Sequence, residues 1–198
     1  MDTDSFSPHH EIFVHIRIII GMILGLSVAR LVSGATRFIQ HPGKDKIYPV
    51  HFAWVVCIFL FIIHFWWFEF ALSQTRAWTF PLYFLLILYS IVFVILAAML
   101  FPDEIHEYCG FQGYFNQRRN WFYALLLVLF IIDVIDTMVK GEKYYHHYGI
   151  AYPIRQTLLM AGAVGGLVFR SPRYDAAYAF CVLIAQAVWI AVLFNALN

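Results

Sequence analysis

Two acidic residues and one basic residue share a face within a stretch of the chain that is otherwise strongly apolar. Asp133, Asp136 and Lys140 are spaced by three and then four residues, which places their side chains on one face of a helix. An ionisable side chain inside a membrane span costs about 2.5–3.5 kcal/mol on insertion scales, so it tends to mark an ion or proton pathway. Asp133 and Asp136 are therefore the first candidates for carrying a proton or a small cation.

Arg17 is the expected counter-charge of these two aspartates. It shares a face with Gly21, and small residues allow a second helix to approach closely in a membrane. One arginine against two carboxylates leaves room for a proton or a small cation. His15 and His64 are candidate titrating partners, because histidine changes its charge near neutral pH. The same charges can also serve only to fix the register of the helices.

Three further charged residues, Glu11, Glu69 and Arg155, lie near the ends of the apolar stretches. Long charged side chains at such positions can reach the membrane interface, so we expect these three to be peripheral. At a rise of about 1.5 Å per residue, all of these polar groups fall in the same half of the membrane. Any function is therefore expected in that half.

The composition requires a lipid environment for the elements that carry these residues. Of 198 residues, 62% are apolar and only 13% are charged, whereas a soluble domain has about a quarter charged residues. We predict an all-α, polytopic integral membrane helix bundle that forms a single transmembrane domain over residues 1–198. Its six transmembrane helices are expected at about 11–33, 49–72, 79–101, 120–139, 153–170 and 175–197.

The segment 103–119 is too polar to span a membrane, yet its aromatic residues recur at near-helical spacing. It is expected either to be one interfacial amphipathic segment or to be a loop anchored by aromatic side chains. Small residues predict close helix contacts at Gly21 and Gly25, and again at Gly162, Gly165 and Gly166. These contacts can lie within the bundle or between subunits.

Basic residues set the expected orientation. One side carries Arg37, Lys44, Lys46, Arg118, Arg119, Arg170 and Arg173, and the other carries Arg76, Lys140 and Lys143, with Arg155 at a helix end. The positive-inside rule then places both termini outside the cytoplasm, in a plasma membrane of the bacterial inner-membrane type. The residues expected to contact anionic lipids at the cytoplasmic interface are Arg30, Arg37, Lys44, Lys46, Arg118 and Arg119.

The N-terminus and the net charge exclude two other classes. The first ten residues contain no lysine or arginine, so a cleaved signal peptide is not expected. The formal net charge is +1 and there is no basic run, which argues against a nucleic-acid partner.

Histidine spacing leaves a redox alternative open. His51 and His64 lie thirteen residues apart in one predicted helix. This spacing resembles that of the two-haem helices of membrane b-type cytochromes and ferric-reductase-like proteins, which implies haem ligation by both histidines. The chain contains neither an H-E-x-x-H zinc motif nor a G-x-S-x-G nucleophile motif. Asp133-x-x-Asp136 could act as an intramembrane carboxylate dyad or as a diphosphate–metal site, but no partner carboxylate motif occurs in another predicted span.

The sequence therefore favours a small transporter or channel for a proton or a small cation, with no bound cofactor and no catalytic residues. Because a bundle of six helices leaves little room for a pore within one subunit, a homo-oligomer is expected. The alternative is a non-catalytic sensor, assembly factor or partner-binding subunit whose buried charges are structural.

Overall fold

The computed structural model describes residues 8–41, 47–69, 79–105, 107–108, 110–140 and 149–195. These residues form six helices: α1 (Pro8–Gln40), α2 (Pro49–Phe68), α3 (Phe80–Leu100), α4 (Gly110–Val139), α5 (Ala151–Val168) and α6 (Pro172–Asn195). All except α5 are long and apolar enough to cross a membrane. This is consistent with a helical membrane bundle. The sixth span, at α5, stays a prediction.

Proline marks the start of three of these helices. Pro49 and Pro172 are the first residues of α2 and α6, and Pro81 lies in the first turn of α3. The first turn of a helix tolerates proline because its backbone N–H groups have no partner within the helix. The predicted starts of these three helices therefore lie within three residues of the observed ones.

The interfacial segment predicted at 103–119 is not one separate element. Residues 110–119 are the first turns of α4, which has 30 residues and begins ten residues earlier than predicted. The ring of Phe111 packs against that of Phe38 at the end of α1, with centroids 5.1 Å apart. Burying such rings inside the bundle stabilises helix here. Gly110 adopts φ 80°, a conformation that glycine allows as the chain enters α4.

The helices pack side by side, and their ends lie at the two ends of the bundle. α1 packs on α3 and α2, α2 also packs on α6, and α4 lies between α3 and α5. We call the end where α2 and α4 finish and α5 begins the cavity end, and the other end the opposite end. Between them, the side chains of Trp54, Ile58, Tyr123 and Leu126 are completely buried.

The glycines of α5 form a smooth face that receives tyrosine rings from two neighbouring helices. Tyr178 lies against Gly162, Tyr174 against Gly165 and Tyr123 against Gly166. A Cβ atom at any of these glycines would overlap the ring that faces it. The close contact predicted for this span is therefore made within the chain. By contrast, nothing lies within 4 Å of where a Cβ would be at Gly25.

Candidate functional site

A partly open cavity lies at the cavity end, between α2, α3, α4, α5 and α6. We call it the polar cavity. Its aromatic wall consists of Phe61, Phe65, Phe68, Phe93, Phe130, Tyr89, Tyr152 and Trp189. Its ionisable residues are His64, Glu69, Asp133, Asp136, Lys140 and Arg155. The structure thus brings both predicted carriers together with His64, which α2 contributes to the cavity.

Lys140 is the cation that pairs with Asp136. Its Nζ atom lies 2.5 Å from Oδ2 of Asp136, one helical turn earlier, and 2.8 Å from Oε1 of Glu69 at the end of α2. All three side chains are almost completely buried, with at most 4% of each exposed. Buried charges need partners of this kind, because an isolated charge is very costly away from water. One ammonium therefore links α2 to α4.

Asp133 is held by neutral donors instead. Its Oδ1 atom accepts a hydrogen bond from the Tyr89 hydroxyl at 2.8 Å. Its Oδ2 atom accepts one from Nε2 of Gln156 at 2.9 Å and one from the Tyr152 hydroxyl at 2.9 Å. The Tyr152 oxygen also lies 2.9 Å from Oγ1 of Thr137, from which it can accept. Asp133 therefore connects α3, α4 and α5.

Arg155 forms the far wall of the cavity. Its Nη2 atom donates to Oε1 of Gln186 on α6 at 2.5 Å, and its guanidinium lies 5.1 Å from the centre of the Trp189 ring. Arg155 and Glu69, predicted to be peripheral, are thus part of the site. Glu69 is only 1% exposed, because pairing with Lys140 satisfies its charge inside the bundle.

The charges in the polar cavity do not balance. Three carboxyl groups face two permanent cations, and the remaining titratable side chains that line the cavity are His64 and the phenols of Tyr89 and Tyr152. Some buried polar atoms have no hydrogen-bond partner among the described residues: Oε2 of Glu69, Oδ1 of Asp136, Nε2 of His64 and Nε of Arg155. Buried polar groups are rarely left unpaired. The cavity is therefore suited to a positively charged guest.

The hydrogen bonds to Asp133 give a first testable prediction. Tyr152→Phe removes one donor to a partly buried carboxylate, so we expect the free energy of unfolding to fall by about 1–3 kcal/mol. The matched control is Tyr83→Phe on α3, whose hydroxyl makes no hydrogen bond with the described residues and should change stability little. Unfolding by SDS titration in mixed micelles measures both, and equal losses would contradict the assignment.

A second buried polar cluster lies at the opposite end. Nη2 of Arg119 lies 2.5 Å from Oδ1 of Asp175 and 2.9 Å from the carbonyl oxygen of Phe169, and the Tyr123 hydroxyl donates to Asp175 at 2.9 Å. Burial, reinforced by the Asp175 carboxylate, raises the pKa of Tyr48, which precedes α2. Arg119 was expected at the lipid interface. It is instead 5% exposed, because its face of α4 points into the bundle.

The α1 residues predicted to join the aspartates do not do so. Arg17 is half-buried with its guanidinium 5.8 Å from the centre of the Phe13 ring, and it is not a partner of Asp133 or Asp136. His15 and Glu11 are exposed on the same helix. The predicted pairing with Arg17 fails because α1 packs on α3 and α2, whereas the aspartates face α3, α5 and the end of α2.

The other residues expected at the interface divide between two situations. Arg30 is half-buried and donates from Nη2 to the Phe101 carbonyl oxygen and to Asp103, both at 2.6 Å. Arg37 and Arg118 are exposed at the opposite end, where Arg118 also donates from Nη2 to the Tyr108 hydroxyl at 3.1 Å, and their contact with lipid stays a prediction. Four basic residues of the orientation argument lie outside the described part of the chain: Lys44, Lys46, Arg76 and Lys143.

The haem alternative does not fit His51. Its Nε2 atom lies 2.6 Å from the Leu100 carbonyl oxygen, and its ring packs against Phe101 and Phe111 with centroids 5.1 and 4.5 Å away. That nitrogen is engaged and the ring is enclosed, so a haem iron cannot be ligated there without repacking. His64 lies in the polar cavity at the other end of α2.

Several residues of the site are not among those predicted from the sequence. Tyr152 and Gln156 are one turn apart in an apolar helix. Two polar side chains at this spacing share a helix face, and this pattern indicates a polar contact on that face. Tyr89 carries no such signal, because tyrosine is common in membrane helices. Gln186 becomes a partner of Arg155, and Asp175 becomes a partner of Arg119, only through the packing of α6.

Comparisons with family models, with curated proteins and with solved structures return no match for this chain.

Proposed function

We propose that this protein is a small membrane transporter or channel that moves a proton or a small cation through the polar cavity. The observation that carries the proposal is the surplus of buried carboxylates over permanent cations around a cavity with an open side. Intramembrane carboxylates of this kind are typical of ion and proton pathways. Asp136 and Glu69 are the proposed ligands, and Asp133 and His64 are the proposed proton-accepting groups.

Packing beneath the cavity favours a transporter over a permanently open channel. Toward the opposite end, Ile58 and Leu126 are completely buried, and below them Trp54 packs on Tyr123 with ring centroids 6.3 Å apart. A cation in the polar cavity therefore has access from one side only. Passage to the other side requires a change in helix packing or transfer of a proton along side chains.

The proposed topology follows from the same arrangement. α5 has 18 residues and a length of about 27 Å, close to the thickness of the hydrocarbon core. With α5 as a sixth span, both termini lie on the same side, and the distribution of basic residues supports the proposal that this is the extracytoplasmic side of a membrane of the bacterial inner-membrane type. We also propose assembly as a homo-oligomer, with anionic lipids around the exposed Arg37 and Arg118.

A flux assay tests this function. In proteoliposomes with an imposed proton or cation gradient, we expect flux with the wild type and none with Asp133→Asn plus Asp136→Asn. Asp103→Asn is the matched control, because this carboxylate is 80% exposed at the opposite end and should leave flux unchanged. Only variants that elute as a single species are reconstituted. Unchanged flux in the double variant would overturn the proposal.

One observation favours the alternative of a non-catalytic membrane module. Both oxygens of Asp133 accept hydrogen bonds from donors on α3 and α5, so this carboxylate can serve purely to hold three helices together. The alternative predicts that the wild type carries no flux, while Asp133→Asn still lowers thermal stability. The same preparations decide between the two functions.

A further inference from the structure

The wall of the polar cavity distinguishes between kinds of cation. Apart from the ionisable residues, Thr137 and Gln156, the residues that line it are aromatic, with Leu129 as the single aliphatic one. A Ca²⁺ or Mg²⁺ ion is surrounded by about six or more oxygen ligands. An aromatic face instead attracts an ammonium group or another organic cation through its quadrupole.

The site already holds one ammonium group. The Nζ atom of Lys140 lies between Glu69 and Asp136, 2.8 and 2.5 Å from one oxygen of each. The other oxygens of these two carboxylates, Oε2 of Glu69 and Oδ1 of Asp136, are buried and have no hydrogen-bond partner in the described part of the chain. They are two acceptors of the kind that a second N–H donor needs.

We propose that the cation taken by the polar cavity is a small primary alkylammonium, held by the free oxygens of Glu69 and Asp136 and by the aromatic wall. This inference rests on the proposed function and names its substrate class. The space is the size of a few water molecules, so the alkyl group must be small. The charge surplus of the carboxylates is neutralised when one such cation is bound.

Binding of methylammonium chloride to the purified protein tests the inference. We expect methylammonium to raise the Tm by about 5 °C near saturation, while equal concentrations of NaCl and KCl change it little. Isothermal titration calorimetry gives the Kd. Glu69→Gln removes one ligand and should weaken methylammonium binding about tenfold or more, whereas Asp103→Asn should not change it.

A second pair of variants keeps the test independent of the buried ion pair. Phe68→Leu removes a ring from the cavity wall but keeps its apolar character, so methylammonium should bind several-fold more weakly. The matched control is Phe84→Leu on α3, which is 50% exposed and should bind as the wild type does. Equal affinities in the two phenylalanine variants would overturn the role of the wall.

The outcomes separate this inference from the function on which it rests. If Na⁺ or K⁺ stabilises the protein as well as methylammonium does, the substrate class is wrong and cation transport stands. If proton flux is present without any cation binding, the inference fails and the function is proton movement. If both binding and flux are absent, the inference and the proposed function fail together.

Discussion

Asp175→Ala is expected to lower the free energy of unfolding by about 3–5 kcal/mol, because it leaves the Arg119 guanidinium buried without its carboxylate. Only 6% of the Arg119 side chain and 2% of that of Asp175 are exposed. Tyr123 loses its acceptor in the same variant, since its hydroxyl donates to Asp175 at 2.9 Å. The variant therefore leaves the Arg119 charge without a counter-charge and the Tyr123 hydroxyl without an acceptor at the same place.

Two controls separate charge burial from the loss of any ion pair. Asp103→Ala breaks the pair with Arg30, but Asp103 is 80% exposed, so we expect a loss of about 1 kcal/mol or less. Arg119→Met combined with Asp175→Leu removes both buried charges and should be markedly more stable than Asp175→Ala alone. SDS titration in mixed micelles measures all three. A loss in Asp175→Ala no greater than that in Asp103→Ala would show that the cluster is hydrated.

Gly166→Ala is expected to destabilise the protein by about 1–3 kcal/mol or more, because the new methyl group overlaps the Tyr123 ring. That ring is completely buried and is fixed by its hydrogen bond to Asp175, so it cannot move aside easily. Inserting a carbon into a filled interior forces side chains off their rotamers or separates the helices. The contact between α4 and α5 then loosens.

Gly25→Ala is the matched control for this steric effect. Gly25 is also helical, but nothing lies within 4 Å of its Cβ position. Alanine favours helix over glycine by up to about 1 kcal/mol, so the variant should be neutral or slightly stabilised. Thermal unfolding in detergent compares the pair. Similar melting temperatures for the two variants would contradict the tight fit of α5 against Tyr123.

Much of the fold was predictable because lipid imposes simple rules on the sequence. Apolar runs separated by proline and glycine indicate six helices, and the breakers at Pro49, Pro81 and Pro172 fix three of the starts. The common face of Asp133 and Asp136 follows from helix geometry alone. The length of a helix and the residues that share one of its faces depend on the sequence of that helix alone.

What could not be predicted depends on which helices are neighbours. The charge of Arg17 and the face that it shares with Gly21 predict a pairing with the aspartates, but the order in which helices pack is not encoded in one side chain. Arg119 was misplaced for a different reason. It lies four residues after the buried Phe115 and so shares its inward face, a relation that is visible only once residues 110–119 are read as helix.

The tyrosine rings in the glycine face of α5 determine where this bundle can hinge. Tyr174 and Tyr178 reach across from α6, and their hydroxyls donate to backbone carbonyl oxygens of α5 at 2.6 Å. Shearing α6 along α5 would break these bonds and drive the rings out of their recesses. α5 and α6 therefore behave as one rigid unit. Across the seam between α4 and the pair α2 and α3, the side-chain hydrogen bonds between described residues come from two groups, the Lys140 ammonium and the Tyr89 hydroxyl. The other contacts there are ring packing such as that of Trp54 on Tyr123, which can slide without losing a hydrogen bond.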